Sequence, residues 1–211
     1  VTQMIAQFIG GATLIETVTG LPYWASLAIF AVVVIVYTAF GGFTAVVITD
    51  TIQGVVMLIG TFLFILYVLR NIGSFEAMSV ALDASLPGWD NLTETGYTPG
   101  ALLSFWVLVG IGVMGLPQTA VRGMGFKDTK SCHTAMLIGT IVVGVLMIGM
   151  HTAGVWAGAL TGGQTFASTD YFIPTIVQQI MPGGAAGLFR AAPMAAVMST
   201  VSSLLILASA S

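Results

Sequence analysis

What this chain has least of is charge. Asp, Glu, Lys and Arg together make up 6% of its 211 residues, where a soluble domain carries about a quarter. A surface that poor in charge does not suit water. With 57% hydrophobic residues and a mean hydropathy of +1.02, the solvent for most of it is lipid. The few basic residues and a net charge of −3 leave no footprint for nucleic acid. A single cysteine, Cys132, excludes an internal disulfide. The two histidines and that cysteine fall in no metal-ligand spacing. No nucleophile has a paired base and no phosphate loop is present, so nothing points to an enzyme. No basic n-region precedes the first apolar run. Residue 1 reads as mid-helix and residue 211 as an unfinished one. The expectation is therefore a single membrane domain over 1–211, a fragment of a larger protein.

What is abundant is long apolar runs. A spanning helix needs about 20 mostly apolar residues. Five segments fit, 21–40, 48–70, 101–117, 133–160 and 185–211, and 1–17 fits in part, interrupted by Gln3, Gln7 and Glu16. The expected fold class is an all-α polytopic membrane protein with about six transmembrane helices. Trp24 and Tyr37 lie near the ends of their span, where interfacial aromatics belong. Gly11 and Gly20–Pro22 mark a first turn. The stretch FGGF at 40–43 marks a second, with 41–49 as its connector. The segment 71–100 holds Glu76, Asp83, Asp90 and Glu94 and no Lys or Arg. The segment 118–131 holds Arg122, Lys127 and Lys130. The positive-inside rule puts the second in the cytoplasm and the first outside. Segment 171–181 has an apolar face suited to a short helix along the interface.

Polar residues inside apolar runs are the candidates for chemistry. Ala196, Ser199 and Thr200 are spaced i, i+3, i+4 and share one helical face. Two hydroxyls and a backbone carbonyl offer about three oxygens to a small hard cation such as sodium. The same hydroxyls also serve to bond the preceding turn or to allow close helix packing. Pro193 removes the usual amide donor of the Phe189 carbonyl. Gly110, Gly112, Gly115 and Pro117 crowd one span. An interior glycine costs about 1 kcal/mol and proline more. That span either breaks, exposing backbone dipoles to a ligand, or packs closely against another helix. Asp50 suits the N-cap of the third span, with ion handling as the alternative. Glu16 is either solvated or a buried partner. His151 reads as a hydrogen-bonded core residue. Arg190 snorkels outward, and the basic residues of 118–131 set topology.

Three stretches resemble one family. YTAFGGFTAVVITDTIQGVVMLIGT (37–61) resembles the GG-x-x-AV-x-x-TD-x-x-Q region of the sodium:solute symporters. GLPQTAVRGMGFKDTKSCH (115–133) resembles their G-x-P-H-x-x-x-R loop. AAPMAAVMSTVSSLL (191–205) resembles their A-x-x-A-A-x-M-S-T helix. All three stand in the family's order. The resemblance implies a LeuT-type core of two inverted five-helix repeats working by alternating access. This chain then holds core helices three to eight, without the first core helix and the C-terminal helices. It implies a sodium site built from the Ala196 carbonyl and the Ser199 and Thr200 hydroxyls, completed by the first core helix. Asp50 matches an acid linked to sodium coupling, and Gly110, Gly112 and Gly115 match a substrate-facing segment. Arg122 matches the family's cytoplasmic-loop arginine. The implied partners are sodium, the bilayer of a bacterial inner membrane and a small solute, pantothenate first, with no organic cofactor and no other metal. Gln118 replaces the usual His, Arg190 stands where an apolar residue is expected, and Ser202–Ser203 stands where members carrying pantothenate tend to have Asn-Ala. Those departures keep proline, a monocarboxylate or a sugar open as solutes. The membrane input domain of a sensor kinase is the alternative from another class.

Overall fold

The computed structural model describes residues 2–91, 97–162 and 172–210. Regular structure among them is helical throughout: α1 (Thr2–Thr19), α2 (Tyr23–Ile72), α3 (Phe75–Ser85), α4 (Pro99–Gly110), α5 (Pro117–Met124), α6 (Thr129–Gly158), α7 (Phe172–Ile180) and α8 (Gly183–Ala210). Short 3-10 turns follow α4 at Gly112–Gly115 and α6 at Ala159–Thr161. Three helical stretches are long and apolar enough to cross a membrane, Tyr23–Ile72, Thr129–Thr161 and Gly183–Ser209. Their apolar side chains are largely uncovered: Phe40 is 89% exposed and Ile148 72%. Water does not tolerate such a surface, and lipid does. The chain divides into two compact units, Val1–Gly60 with Gly187–Ser211, and Thr61–Ala186.

The first unit is centred on Phe30, Val34 and Val201, flanked by Phe8, Ile15, Met194 and Leu205. Phe8 meets Phe30 edge to face, with ring centroids 5.6 Å apart. Gly11 lets α1 approach this ring, since a Cβ there would lie 2.6 Å from it.

Gly42 breaks α2, with φ 60° and ψ −165°, a region open essentially to glycine alone. Tyr37 Oη, before the break, donates to the Met198 carbonyl at 3.2 Å. Asp50, after it, lies 3.5 Å from the Ser202 hydroxyl. A straight helix would hold Tyr37 and Asp50 about 20 Å apart along its axis, yet both meet neighbouring turns of α8. Within this unit the first arm of α2, 23–41, and the start of the second, 43–60, therefore fold back on each other at Gly42. The sequence suggested a connector over 41–49, and one residue makes the reversal instead. One expectation falls with it: Asp50 sits inside the second arm and is not an N-cap. Tyr37, expected near the end of its span, ties α2 to α8.

The second unit holds α3, inside a segment expected to be a polar loop. Ser74 caps it by accepting the Ala77 N–H at 3.1 Å, and Met78 and Leu82 are buried. Gly158 of α6 gives Leu86 and Leu82 room, a Cβ there meeting Leu86 at 2.9 Å. The helix expected near 171–181 is α7, but Ile176 and Val177 are buried inside the protein rather than laid on lipid; Tyr171 lies outside the described residues. The expected span 101–117 is broken. α4 ends at Gly110, about 18 Å long against the roughly 30 Å hydrocarbon core. The 3-10 turn follows, Leu116 is extended, and Pro117 opens α5. His151 is exposed, its Nδ1 2.6 Å from the Met147 carbonyl, so it is hydrogen-bonded but not a core residue.

Asp128 caps α6, its carboxylate accepting the Ser131 N–H at 2.7 Å. That backbone bond first, and the Ser131 hydroxyl second, hold its carboxyl below the ordinary value of 3.8. A depressed folded value means the cap contributes fully above the unfolded value and is lost as pH falls through the folded one. Asp128→Ala is expected to speed amide hydrogen exchange in the first turn of α6 at pH 7. The difference from the natural residue should vanish in strong acid.

Candidate functional site

The site grows out of the hydroxyl run on α8. Ser199 Oγ donates to the Ala196 carbonyl at 2.9 Å and Thr200 Oγ1 donates to the same oxygen at 3.0 Å. One turn on, Ser202 and Ser203 donate to the Ser199 carbonyl at 3.0 and 2.8 Å. Serine and threonine in a helix bond back in this way because the carbonyls three and four residues earlier lie within reach. Back-bonding uses the hydroxyl proton and leaves the lone pairs of its oxygen available. The same side chains can therefore present oxygen to a cation. The Ala196 carbonyl is the focus, since two hydroxyls converge on it.

Ser202 joins this run to α2. Its side chain is fully buried, and its one proton is shared between the Ser199 carbonyl and Asp50 Oδ1. Further along, Gly60 lies against Ala192. A Cβ on Gly60 would come 2.6 Å from the Ala192 methyl and 3.6 Å from the Leu188 carbonyl. Asp50 opposite Ser202 and Gly60 opposite Ala192 fix an antiparallel register. Between these ends, Gln53 falls level with Ser199 and Met57 level with Ala195. Each set is spaced by three, four and three residues, which keeps it on one helical face. Ala192, Ala195 and Ser202 are buried along this seam.

Ala196, Ser199 and Thr200 are thus gathered, half-buried, on α8, and Asp50 is brought to them through Ser202. The α4 glycines lie in the other compact unit. A Cβ on Gly110 or Gly115 would meet nothing within 4 Å, and one on Gly112 would meet only Leu108, on the same stretch, at 3.6 Å. Among the described residues these glycines serve no close packing; they mark the break. Arg122 is on α5, but its side chain lies outside the described residues, as does that of Gln118. Glu16 is half-buried near the end of α1. No cluster of three His, Cys, Asp or Glu able to hold a metal occurs among the described residues. Ser202 as the link to Asp50, and Gln53, are not among the candidates that the sequence offers: the two helix faces share a spacing there, but their contact shows only in the structure.

The model of the sodium:solute symporter family matches residues 1–211. The chain is 46% identical over 209 residues to the sodium/pantothenate symporter of Haemophilus influenzae, covering 96% of this chain and 42% of that protein. It is 45% identical over 213 residues to the sodium/pantothenate symporter of Escherichia coli, covering 98% and 43%. The sodium/proline symporter of Staphylococcus aureus is 32% identical over 209 residues, covering 97% and 40%. No solved structure gives a significant match. The chain spans about two-fifths of the length of these relatives.

Proposed function

Given that the chain belongs to the sodium:solute symporter family and is an integral membrane protein, we propose that it forms part of a sodium-coupled carrier that brings pantothenate into the cell. The observation that carries this reading is the convergence of the Ser199 and Thr200 hydroxyls on the Ala196 carbonyl, with a carboxylate linked to them through Ser202. Sodium carries a single charge and prefers oxygen ligands. Ala196, Ser199 and Thr200 supply part of its shell, and the rest comes from a helix outside these residues. Asp50 adds negative charge one seam position away, which favours the ion without giving up the solvent-poor setting. Pantothenate is preferred over proline because identity is 45–46% to the pantothenate carriers and 32% to the proline carrier.

In this reading the fold is a LeuT-type core and 1–211 is one membrane domain. Six spans arise from α1, the two arms of α2, the broken stretch from α4, α6 and α8, matching core helices three to eight. Gly110, Gly112 and Gly115 give the solute access to backbone at the break, and Arg122 lies in a cytoplasmic connection. The membrane is the bacterial inner one. The protein acts by transport, with sodium as coupling ion, no organic cofactor and no nucleic acid.

The test is uptake of labelled pantothenate by the full-length protein in proteoliposomes. Accumulation is expected under an inward sodium gradient and is expected to collapse when a sodium ionophore removes it. Sodium-driven uptake of proline, a monocarboxylate or a sugar in place of pantothenate would overturn the solute and leave the carrier. Absence of any sodium response would overturn the carrier and favour the sensor input domain.

A further inference from the structure

Gln53 lies on the seam between α2 and α8, and the sodium reading leaves it without a role. Its Oε1 is buried and accepts no hydrogen bond among the described residues. A buried acceptor left unpaired is disfavoured. One that persists at a working site suits a donor that arrives in another state of that site. Ser26 and Thr38, on the first arm of α2, also carry buried hydroxyls without partners. Gln53 differs from them in its register: it is level with Ser199.

The Ser199 hydroxyl has one proton, and it goes to the Ala196 carbonyl at 2.9 Å. A sodium ion held by that carbonyl and by the Ser199 oxygen would compete for the same lone pairs. The cation repels the hydroxyl proton, which must turn away from the ion to an acceptor on another side. Ser202 and Ser203 occupy the Ser199 carbonyl one turn on, and Thr200 donates to the same Ala196 oxygen. The acceptor that is unfilled at the right level is the carboxamide oxygen of Gln53. We infer that Gln53 is a positioning residue of the sodium site, a role that rests on the sodium reading above: its Oε1 takes the Ser199 hydroxyl proton when the Ala196 carbonyl turns to the ion. Gln53 touches neither ion nor solute. It sets the direction of the Ser199 lone pairs.

The test is the half-saturating sodium concentration for solute uptake by the full-length protein in proteoliposomes, measured at saturating solute. Gln53→Met is close in size and removes the acceptor. It is expected to raise half-saturating sodium about three- to tenfold, the range of one neutral hydrogen bond, with a much smaller effect on maximal rate. Gln53→Glu, which restores an acceptor, should recover sodium affinity. In a Ser199→Ala background, Gln53→Met should add nothing, because the proton it receives is gone. Should Gln53→Met fail to reach the membrane, Gln53→Leu is the second apolar replacement. An apolar variant with natural sodium dependence, alongside an impaired Ser199→Ala, would overturn the role of Gln53 and leave the sodium site standing. A fall in maximal rate with unchanged half-saturation would also overturn it, marking Gln53 as packing only. Natural sodium dependence in Ser199→Ala itself would overturn the sodium reading and this role together.

Discussion

Replacing Ser199 and Thr200 together by alanine is expected to abolish sodium-driven uptake at ordinary sodium concentrations while the protein still inserts and folds. Among the described residues the two hydroxyls donate to a carbonyl of their own helix. Removing them breaks no hydrogen bond between helices there, and alanine favours a helix more than either residue does. The folded structure therefore loses little. The ion loses much more. It surrenders water on entering the site, and a hydrogen bond or ligand to a charged group contributes about 1.5–3 kcal/mol. Two such losses correspond to at least about a hundredfold rise in half-saturating sodium. A sodium titration of uptake measures it, with the thermal midpoint of the purified protein in detergent as the control for folding. Each single variant should fall between the natural protein and the double. Unaltered sodium dependence in the double variant would remove these residues from the ion site.

The second large effect is expected at Gly60. Even one methyl there would lie 2.6 Å from the Ala192 methyl, closer than two carbons can come, so α8 must move away from the second arm of α2. Overpacking of this kind typically costs about 1–3 kcal/mol. Gly60→Leu, with a whole side chain to place, belongs at or beyond the top of that range. Function should suffer as well as stability. The link between Asp50 and Ser202 is already at 3.5 Å, near the limit for a hydrogen bond, and a small separation breaks it. We expect Gly60→Leu to lower the thermal midpoint by several degrees and to depress uptake at every sodium concentration. Gly60→Ala should show a milder form of the same defect. Adding Ala192→Gly to Gly60→Ala should relieve it, since the pair returns one methyl to the space that holds one. Failure of that relief would show that the close approach is not what makes Gly60 matter.

The sequence made some of this legible and hid the rest for definable reasons. The membrane class followed from charge poverty. The break after Gly110 was one of two readings that three glycines and a proline left open, breakage or close packing, since their cost in a helix is local. The grouping of Ala196, Ser199 and Thr200 followed from helical spacing, which needs no partner. The reversal at Gly42 was only half legible. FGGF located it, but the sign of φ at one glycine does not show in composition, so a connector of ordinary length was expected. That misplaced the start of the next helix and made Asp50 look like a cap. The bond from Tyr37 to Met198 was hidden because it joins residues far apart in sequence. The helix Phe75–Ser85 was hidden by the acidic residues around it, although Met78 and Leu82 are one turn apart. The seam itself is written twice, as Asp50, Gln53, Met57 and Gly60 and as Ala192, Ala195, Ser199 and Ser202. Nothing in one sequence says that those two faces meet.

A reversal made by a single residue leaves no spare chain. Each residue gained or lost between Gly42 and Asp50 would turn the second arm by about 100° about its own axis. One such step carries Asp50 and Gln53 off the face that meets α8, and the hydroxyl run then stands opposite Thr51 and Gly54 after a loss, or Thr49 and Ile52 after a gain. A longer connector would absorb the change; this one passes it on undiminished. In genetic terms, the stretch from Gly42 to Asp50 should accept many substitutions yet almost no insertion or deletion, its length being a stricter requirement than most of its letters.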